Sequence, residues 1–158
     1  RNPCAPVRVE FLLFPRPGFA LLLGVAPGLG GSGPSWLAQW WDVQEACLSD
    51  RKLCHTIALR FGVTAVATAE GSALVFLGTD EGDVRVFDAG TTPGLADYCV
   101  PWPRLQSTTE HATDARPCPV TALAMSPGGV CELLVGGAEG CIALWGIERQ
   151  KNLRTFDA

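Results

Sequence analysis

Three glycines in the segment PGLGGSGPS, residues 27–35, have the spacing most suggestive of chemistry. Gly28, Gly30 and Gly33 match the Gly-x-Gly-x-x-Gly pattern of a dinucleotide-binding loop, and an apolar run precedes them. In that motif the third glycine opens a helix whose N-terminus binds the pyrophosphate. Here the segment WLAQWW follows, with three tryptophans and no acidic residue in its first turn. This pattern favours a strand, so a nucleotide-binding enzyme using residues 28–33 is the weaker hypothesis.

The titratable residues show no catalytic or metal-binding pattern. Cys47, Cys54 and His55 lack the paired Cys-x-x-Cys spacing of a zinc site. The chain has 2 histidines and no Gly-x-Ser-x-Gly segment, so no Ser–His pair is indicated. Three carboxylates share the segment DEGD at 80–83, which is typical of a solvated hairpin turn. We therefore expect no enzymatic activity, no cofactor and no bound metal.

The composition excludes several classes of partner. The net charge is −4 and the sequence has no lysine or arginine cluster, so it does not predict the basic surface that binds nucleic acid. The apolar run at 19–26 is far shorter than the roughly 20 residues that span a bilayer, so we expect no integral membrane segment. The 7 cysteines, several of them within apolar runs, favour a reduced, cytoplasmic protein. Because the chain begins with Arg1 and its single methionine is Met125, we expect a piece of a longer protein.

The elements that must position these residues form an internal repeat. VTAVATA at 63–69 corresponds to VTALAMS at 120–126, and LVFLGTDEGDVRVFD at 74–88 corresponds to LLVGGAEGCIALWG at 133–146. A more divergent copy upstream contributes VRVEFLLF, FALLLGVA and WLAQWWD. Each copy contains an alternating strand, an apolar strand with a glycine, a tight turn and a strand with an aromatic residue near its end. This register predicts that the glycine-rich segment is an insertion in one hairpin, exposed on the rim.

A fourth strand is predicted to close each copy, at 53–60, 97–102 and 153–157. Four antiparallel strands with glycine and aromatic residues at fixed places describe a β-propeller blade. The predicted fold class is all-β, a WD40-type β-propeller sector of about three four-stranded antiparallel blades that form an incomplete ring. The predicted divisions are a blade at 7–60 with the glycine-rich hairpin insertion, a blade at 61–102, a polar surface loop at 103–119 and a blade at 120–158.

Six residues mark equivalent positions in the blades and are expected to be structural. They are Gly78, Gly136, Asp42, Asp88, Trp41 and Trp145. The glycines close the apolar strand of a copy, the aspartates are expected to cap the turn after the third strand, and the tryptophans are expected to pack between blades. A partner-binding surface is expected from a second group of residues. They are Trp36, Tyr98, Trp102 and His111.

Nearly the whole chain resembles the lethal giant larvae/tomosyn family. The resemblance rests on VFLGTDEGDVRVFD, LADYCVPWPRLQ, RPCPVTALAMSP and CELLVGGAEGCIALWGIERQKNLRTFD, and the segment from Tyr98 to Trp102 followed by PCPV is its most specific part. It departs from the family at Gly146, where an aspartate is expected, and at the glycine-rich insertion.

The resemblance implies a non-catalytic scaffold that regulates vesicle exocytosis and cell polarity. The implied partners are SNAREs of the syntaxin type, Rab GTPases or myosin II, together with further propeller blades of the parent chain. The implied location is cytoplasmic, with peripheral attachment at the plasma membrane. An unrelated WD40 scaffold in a signalling or ubiquitin complex is the alternative, and the remote alternative is the nucleotide-binding enzyme.

Overall fold

The computed structural model contains twelve β-strands and describes most of the chain. The described residues are 8–27, 34–43, 52–69, 72–90, 94–100, 118–126, 132–138, 140–148 and 151–156. The strands are β1 (Arg8–Arg16), β2 (Phe19–Ala26), β3 (Ser35–Asp42), β4 (Lys52–Leu59), β5 (Val63–Thr68), β6 (Leu74–Thr79), β7 (Val84–Asp88), β8 (Gly94–Val100), β9 (Val120–Met125), β10 (Glu132–Gly137), β11 (Ile142–Gly146) and β12 (Lys151–Phe156).

The strands form three four-stranded antiparallel sheets, each built from consecutive strands. The first sheet has the order β1-β2-β3-β4, the second β5-β6-β7-β8 and the third β9-β10-β11-β12. The predicted all-β class and the three four-stranded antiparallel units are therefore confirmed. Because neighbouring strands run in opposite directions, the β2–β3, β6–β7 and β10–β11 connections lie at one end of the sheets, here called the upper rim. The β1–β2, β5–β6 and β9–β10 connections lie at the other end, the lower rim.

The hydrophobic core lies between the sheets, and the second sheet is buried on both faces. Val75, Leu77 and Phe87 pack toward the first sheet, against a set that includes Leu21, Leu23, Ala38 and Trp40. Alternate residues of the same strands pack toward the third sheet. They are Phe76, Val84 and Val86, which meet Val120, Leu133, Val135, Ala143 and Trp145. Burial on both faces explains why β6 is a continuous apolar run in the sequence.

The first and third sheets each keep one face that no described residue covers. On the third sheet this outer face carries the exposed side chains Leu134, Ile142 and Phe156. On the first sheet it carries Leu12, which is also exposed. Alternation along the strands places these residues opposite the buried ones. The outer faces are therefore more apolar than an ordinary solvated sheet face.

The turns follow the sequence prediction, and the closing strands β4, β8 and β12 begin one to three residues earlier than predicted. The glycines of the β6–β7 and β10–β11 hairpins, Gly82 and Gly140, have φ of 86° and 83°, the positive values that tight hairpin turns need. Gly18 in the β1–β2 turn also has a positive φ, 77°, which the sequence analysis did not anticipate. The closing strand of the second repeat, β8, begins at Gly94 rather than at residue 97, and residues 101–103 lie outside the described part. No helix in the described residues is long and apolar enough to cross a membrane.

Candidate functional site

The second and third sheets are in close contact at Gly78 of β6. A β-carbon at Gly78 would lie 2.5 Å from Val120 Cγ1 at the start of β9, so glycine leaves the room that the valine occupies. The single hydrogen of the Thr64 hydroxyl is shared between two acceptors, the Gly78 carbonyl oxygen at 3.1 Å and the Val120 carbonyl oxygen. Packing and hydrogen bonding therefore join β5, β6 and β9 at one point.

The same threonine–glycine hydrogen bond occurs on the outer face of the third sheet, where no described strand packs against it. The Thr121 hydroxyl donates to the Gly136 carbonyl oxygen at 3.3 Å, as Thr64 does to Gly78. A β-carbon at Gly136 would meet nothing closer than Ala122 Cβ at 3.5 Å. Gly136 therefore has the place in the repeat that Gly78 has, but not its steric constraint.

At the upper rim, the β6–β7 hairpin is tied to the β4–β5 connection. The Gly62 amide donates to Asp80 Oδ1 at 2.8 Å, and the Asp80 amide donates to the Gly62 carbonyl oxygen at 3.0 Å. In the third sheet the Ala138 amide donates to the Pro119 carbonyl oxygen at 3.0 Å, which repeats the second of these bonds. Asp80 therefore supplies a side-chain bond that the alanine of the third sheet does not.

The other carboxylates of the β6–β7 hairpin are also held by the fold. Asp83 accepts a hydrogen bond from the buried Thr79 hydroxyl at 2.6 Å and forms an ion pair with Arg85, also at 2.6 Å. Glu81 lies 4.0 Å from the same guanidinium group. The DEGD turn was expected to be solvated, but Asp83 is bonded to two other residues of the same hairpin, Thr79 and Arg85.

A groove of about 420 Å³ opens at the upper rim between the first and second sheets. Trp36 and Phe61 supply its aromatic surface, and Arg60 and Glu81 also line it. Trp36, one of the predicted partner-surface residues, is half-buried because it also packs against the core. Asp80 lines the groove as well, so two carboxylates and one guanidinium group face it and negative charge is in excess.

A second pocket, of about 560 Å³, lies at the lower rim between the first two sheets. Its lining residues are Phe14, Pro15, Arg16, Pro17, Gly18, Ser72 and Ala73. They belong to the end of β1, the β1–β2 turn and the β5–β6 turn. The Val43 amide donates to the Gly18 carbonyl oxygen at 2.8 Å, which ties the β1–β2 turn to the end of β3. We call this the Arg16 pocket.

Arg16 is held in this pocket by aromatic side chains. Its guanidinium carbon lies 4.0 Å from the centre of the Phe19 ring and 5.7 Å from that of Trp40. The two rings stack, with centroids 5.5 Å apart and an interplanar angle of 11°. Cation–π attraction of this kind favours one position of the side chain. Sequence reasoning missed Arg16 because a single arginine in a Pro-Arg-Pro turn follows no site motif.

The six predicted structural residues take different environments. Trp145 is buried between the second and third sheets. Trp41 is half-buried and lies on the outer face of the first sheet, whereas its neighbour Trp40 fills the core. Asp88 Oδ1 accepts a hydrogen bond from the Gly90 amide at 2.7 Å, which is a turn-capping geometry. Asp42 ends β3 and is half-buried; Gly78 and Gly136 are described above.

The remaining predicted residues fall partly outside the described part. Tyr98 lies in β8, and its side chain is not among those described. Trp102 and His111 lie outside the described residues, as do residues 28–33 of the glycine-rich segment. β2 and β3 pair directly from Ala26 with Ser35, and Ser35 opens a strand rather than the helix that a dinucleotide loop needs. Within the described ranges, no group of three histidine, cysteine, aspartate or glutamate residues is placed to hold a metal ion.

Solved structures resemble this architecture. The crystal structure of Chaetomium thermophilum Raptor matches with a TM-score of 0.58 and 25% identity, over 89% of this chain and 11% of that chain. The chain is a sector of a WD40-type β-propeller. Chaetomium thermophilum Sqt1, bound to the N-terminus of the ribosomal protein L10, matches this sector with a TM-score of 0.53 and 12% identity, over 91% of this chain and 32% of that chain. The sector therefore spans about a tenth of the first neighbour and a third of the second. No protein-family model and no curated protein matches its sequence.

Proposed function

We propose that this sector serves as part of a WD40 protein-interaction scaffold rather than as an enzyme. The observation that carries the proposal is the stacking of three sheets through their faces, which leaves two rims with open grooves lined by aromatic and charged side chains. The carboxylates of the upper rim already bind the Gly62 amide and Arg85, so their chemistry serves the fold. The Sqt1 neighbour, which was solved with a bound protein N-terminus, supports the same role.

Within the scaffold class, we propose trafficking partners on the basis of the lethal giant larvae/tomosyn resemblance. The first partner to test is a SNARE of the syntaxin type, followed by Rab GTPases and myosin II. The function would then be the regulation of vesicle exocytosis and cell polarity. The proposed location is cytoplasmic, with peripheral attachment at the plasma membrane.

A WD40 scaffold of an unrelated signalling complex is the second candidate. The likeness to Raptor, at 25% identity over 89% of this chain, supports the WD40 fold that both candidates share. The two candidates share the fold and the grooves but differ in their partners. A binding experiment therefore separates them.

The proposal is tested by immobilising the 158-residue chain and measuring binding of purified syntaxin-type SNARE, Rab GTPase and myosin II fragments. We expect saturable binding of at least one of them, weakened by Trp36→Ala in the upper-rim groove. Trp41→Ala, on the outer face of the first sheet, is the matched control, and circular dichroism checks that both variants fold. Absence of binding to every trafficking partner would refute the trafficking proposal. Failure of the chain to capture any protein partner in crosslinking of cell extracts would refute the scaffold proposal as well.

A further inference from the structure

The Arg16 pocket carries a single charge on an otherwise uncharged lining. Apart from Arg16, the lining residues are apolar or small, with Ser72 as the one hydroxyl. This distribution is unexpected in a chain whose net charge is −4. The lining of the pocket therefore carries one positive charge and no negative charge, and charge complementarity favours an anionic ligand.

The Arg16 side chain has no hydrogen-bond or ion-pair partner among the described residues. Its Nε atom is buried and has no acceptor there. The Phe19 and Trp40 contacts engage the π-face of each ring and provide no hydrogen-bond acceptor in the usual sense. A buried guanidinium N–H without an acceptor is unfavourable, and a carboxylate is the group that accepts from a guanidinium in paired, planar geometry.

We propose that the Arg16 pocket binds the side-chain carboxylate of an acidic residue in an extended segment of a partner protein. The carboxylate would accept hydrogen bonds from the Arg16 guanidinium, and apolar side chains beside the acidic residue would contact Phe14, Pro15 and Ala73. The Ser72 oxygen accepts a hydrogen bond from the Leu74 amide at 3.1 Å, which leaves its hydroxyl hydrogen for the ligand. One arginine matches one carboxylate in charge, whereas a phosphate would bring a second charge that nothing on the lining neutralises.

This inference rests on the proposed scaffold function and names the chemistry of one partner segment. It places a binding site at the lower rim, separate from the Trp36 groove at the upper rim. The two sites can therefore be tested independently.

The test is an NMR titration of the 158-residue chain with short peptides, followed through the Arg Nε–H signals. The probe is acetyl-Leu-Glu-Leu amide, whose only carboxylate is the glutamate side chain. The comparison peptides are acetyl-Leu-Gln-Leu amide, which has no carboxylate, and acetyl-Leu-Gln-Leu with a free C-terminus. We expect a saturable shift of the Arg16 signal with the glutamate peptide, and binding of both comparison peptides that is weaker by about tenfold or more.

Variants of the protein complete the test. Arg16→Gln should weaken binding of the glutamate peptide by about tenfold or more, and Arg16→Lys should restore only part of it, because lysine lacks the planar fork. Arg154→Gln, in β12 of the third sheet and outside both pockets, is the matched control and should bind as the unchanged chain does. The comparison of the glutamate and glutamine peptides uses the unchanged protein, so it tests whether the carboxylate is needed for binding even if an Arg16 variant fails to fold. Equal binding of the glutamate and glutamine peptides, tighter binding of the free C-terminus, or equal losses in the Arg16 and Arg154 variants would overturn the inference. The scaffold proposal would survive that result if trafficking or signalling partners still bind the chain.

Discussion

Replacing Gly78 by alanine should force the second and third sheets apart. The new β-carbon would lie 2.5 Å from Val120 Cγ1 and 2.9 Å from Val120 Cβ. Favourable carbon–carbon contacts lie at about 3.5–4.0 Å, so the overlap is about 1 Å. Rotation of the valine side chain moves Cγ1 but leaves Cβ in place. Relief of the second contact therefore requires β6 and β9 to move apart.

The expected change in the free energy of unfolding has two opposing parts. Overpacking in a close-packed core costs about 1–3 kcal/mol. Alanine also restricts the unfolded chain more than glycine does, which stabilises by about 0.4–1 kcal/mol. We therefore expect Gly78→Ala to destabilise the protein by about 1–2 kcal/mol. Gly136→Ala is the matched control, because its nearest contact is an ordinary 3.5 Å, and it should leave stability unchanged or raised.

Urea unfolding followed by tryptophan fluorescence measures both variants. A second comparison uses Val120→Ala, which removes Cγ1 but not Cβ. In that background the cost of Gly78→Ala should fall, and the double-mutant cycle should show a coupling of about 0.5 kcal/mol or more. Equal stability of the two glycine variants, or strict additivity of Gly78→Ala with Val120→Ala, would refute the packing argument.

Three further changes test other contacts. Thr64→Val removes a hydroxyl whose hydrogen is shared between two carbonyl oxygens in a part-buried bond, and it should lower the unfolding free energy by about 1 kcal/mol. Thr121→Val should lower it less, because that hydroxyl has one acceptor and the bond is exposed. Asp80→Ala removes the acceptor of a β4–β5 amide, so hydrogen exchange at that amide should accelerate and stability should fall by about 1–2 kcal/mol. Trp40→Ala should lower the free energy of unfolding by about 3–5 kcal/mol, as measured by calorimetry. Trp41→Ala should lower it less, because Trp41 is only half-buried.

Each of these changes has an outcome that would contradict it. Equal decreases in the free energy of unfolding of Thr64→Val and Thr121→Val would mean that the Thr64 hydroxyl does not stabilise the contact between the second and third sheets. Unchanged hydrogen exchange at the Gly62 amide in Asp80→Ala would mean that the hydrogen bond to Asp80 does not protect that amide. A larger loss at Trp41 than at Trp40 would mean that the core between the first two sheets has been assigned to the wrong tryptophan.

Repetition in the sequence was enough to predict the strands and their order. Two copies with matching apolar runs, and Gly82 and Gly140 at matching turns, specify consecutive antiparallel hairpins because strand periodicity and turn chemistry act locally. The same register predicted that the glycine-rich segment joins two strands, and the pairing of Ala26 with Ser35 agrees with this prediction. It was less accurate at β8, which begins at Gly94, because the end of an edge strand depends on pairing with its neighbour.

The candidate binding sites could not be predicted in this way. The Arg16 pocket combines the β1–β2 turn with Ser72 and Ala73 of the next sheet, and nothing in the local sequence joins these segments. The different environments of Trp40 and Trp41 arise because adjacent strand residues point to opposite faces, and only one face of the first sheet meets another described sheet. A register shift of one residue would exchange the two.

The sequence by itself determined the class of fold, the number of sheets and the hairpin turns, because these depend on local periodicity and on residues that favour turns. Tertiary structure alone decided why Gly78 is constrained and Gly136 is not, since a valine from the next sheet packs on the first and no described strand packs on the second. It also decided that Arg16 stands over Phe19 and Trp40 at the lower rim. Packing between sheets brings together residues that are distant in the chain, and a local sequence pattern does not specify such contacts.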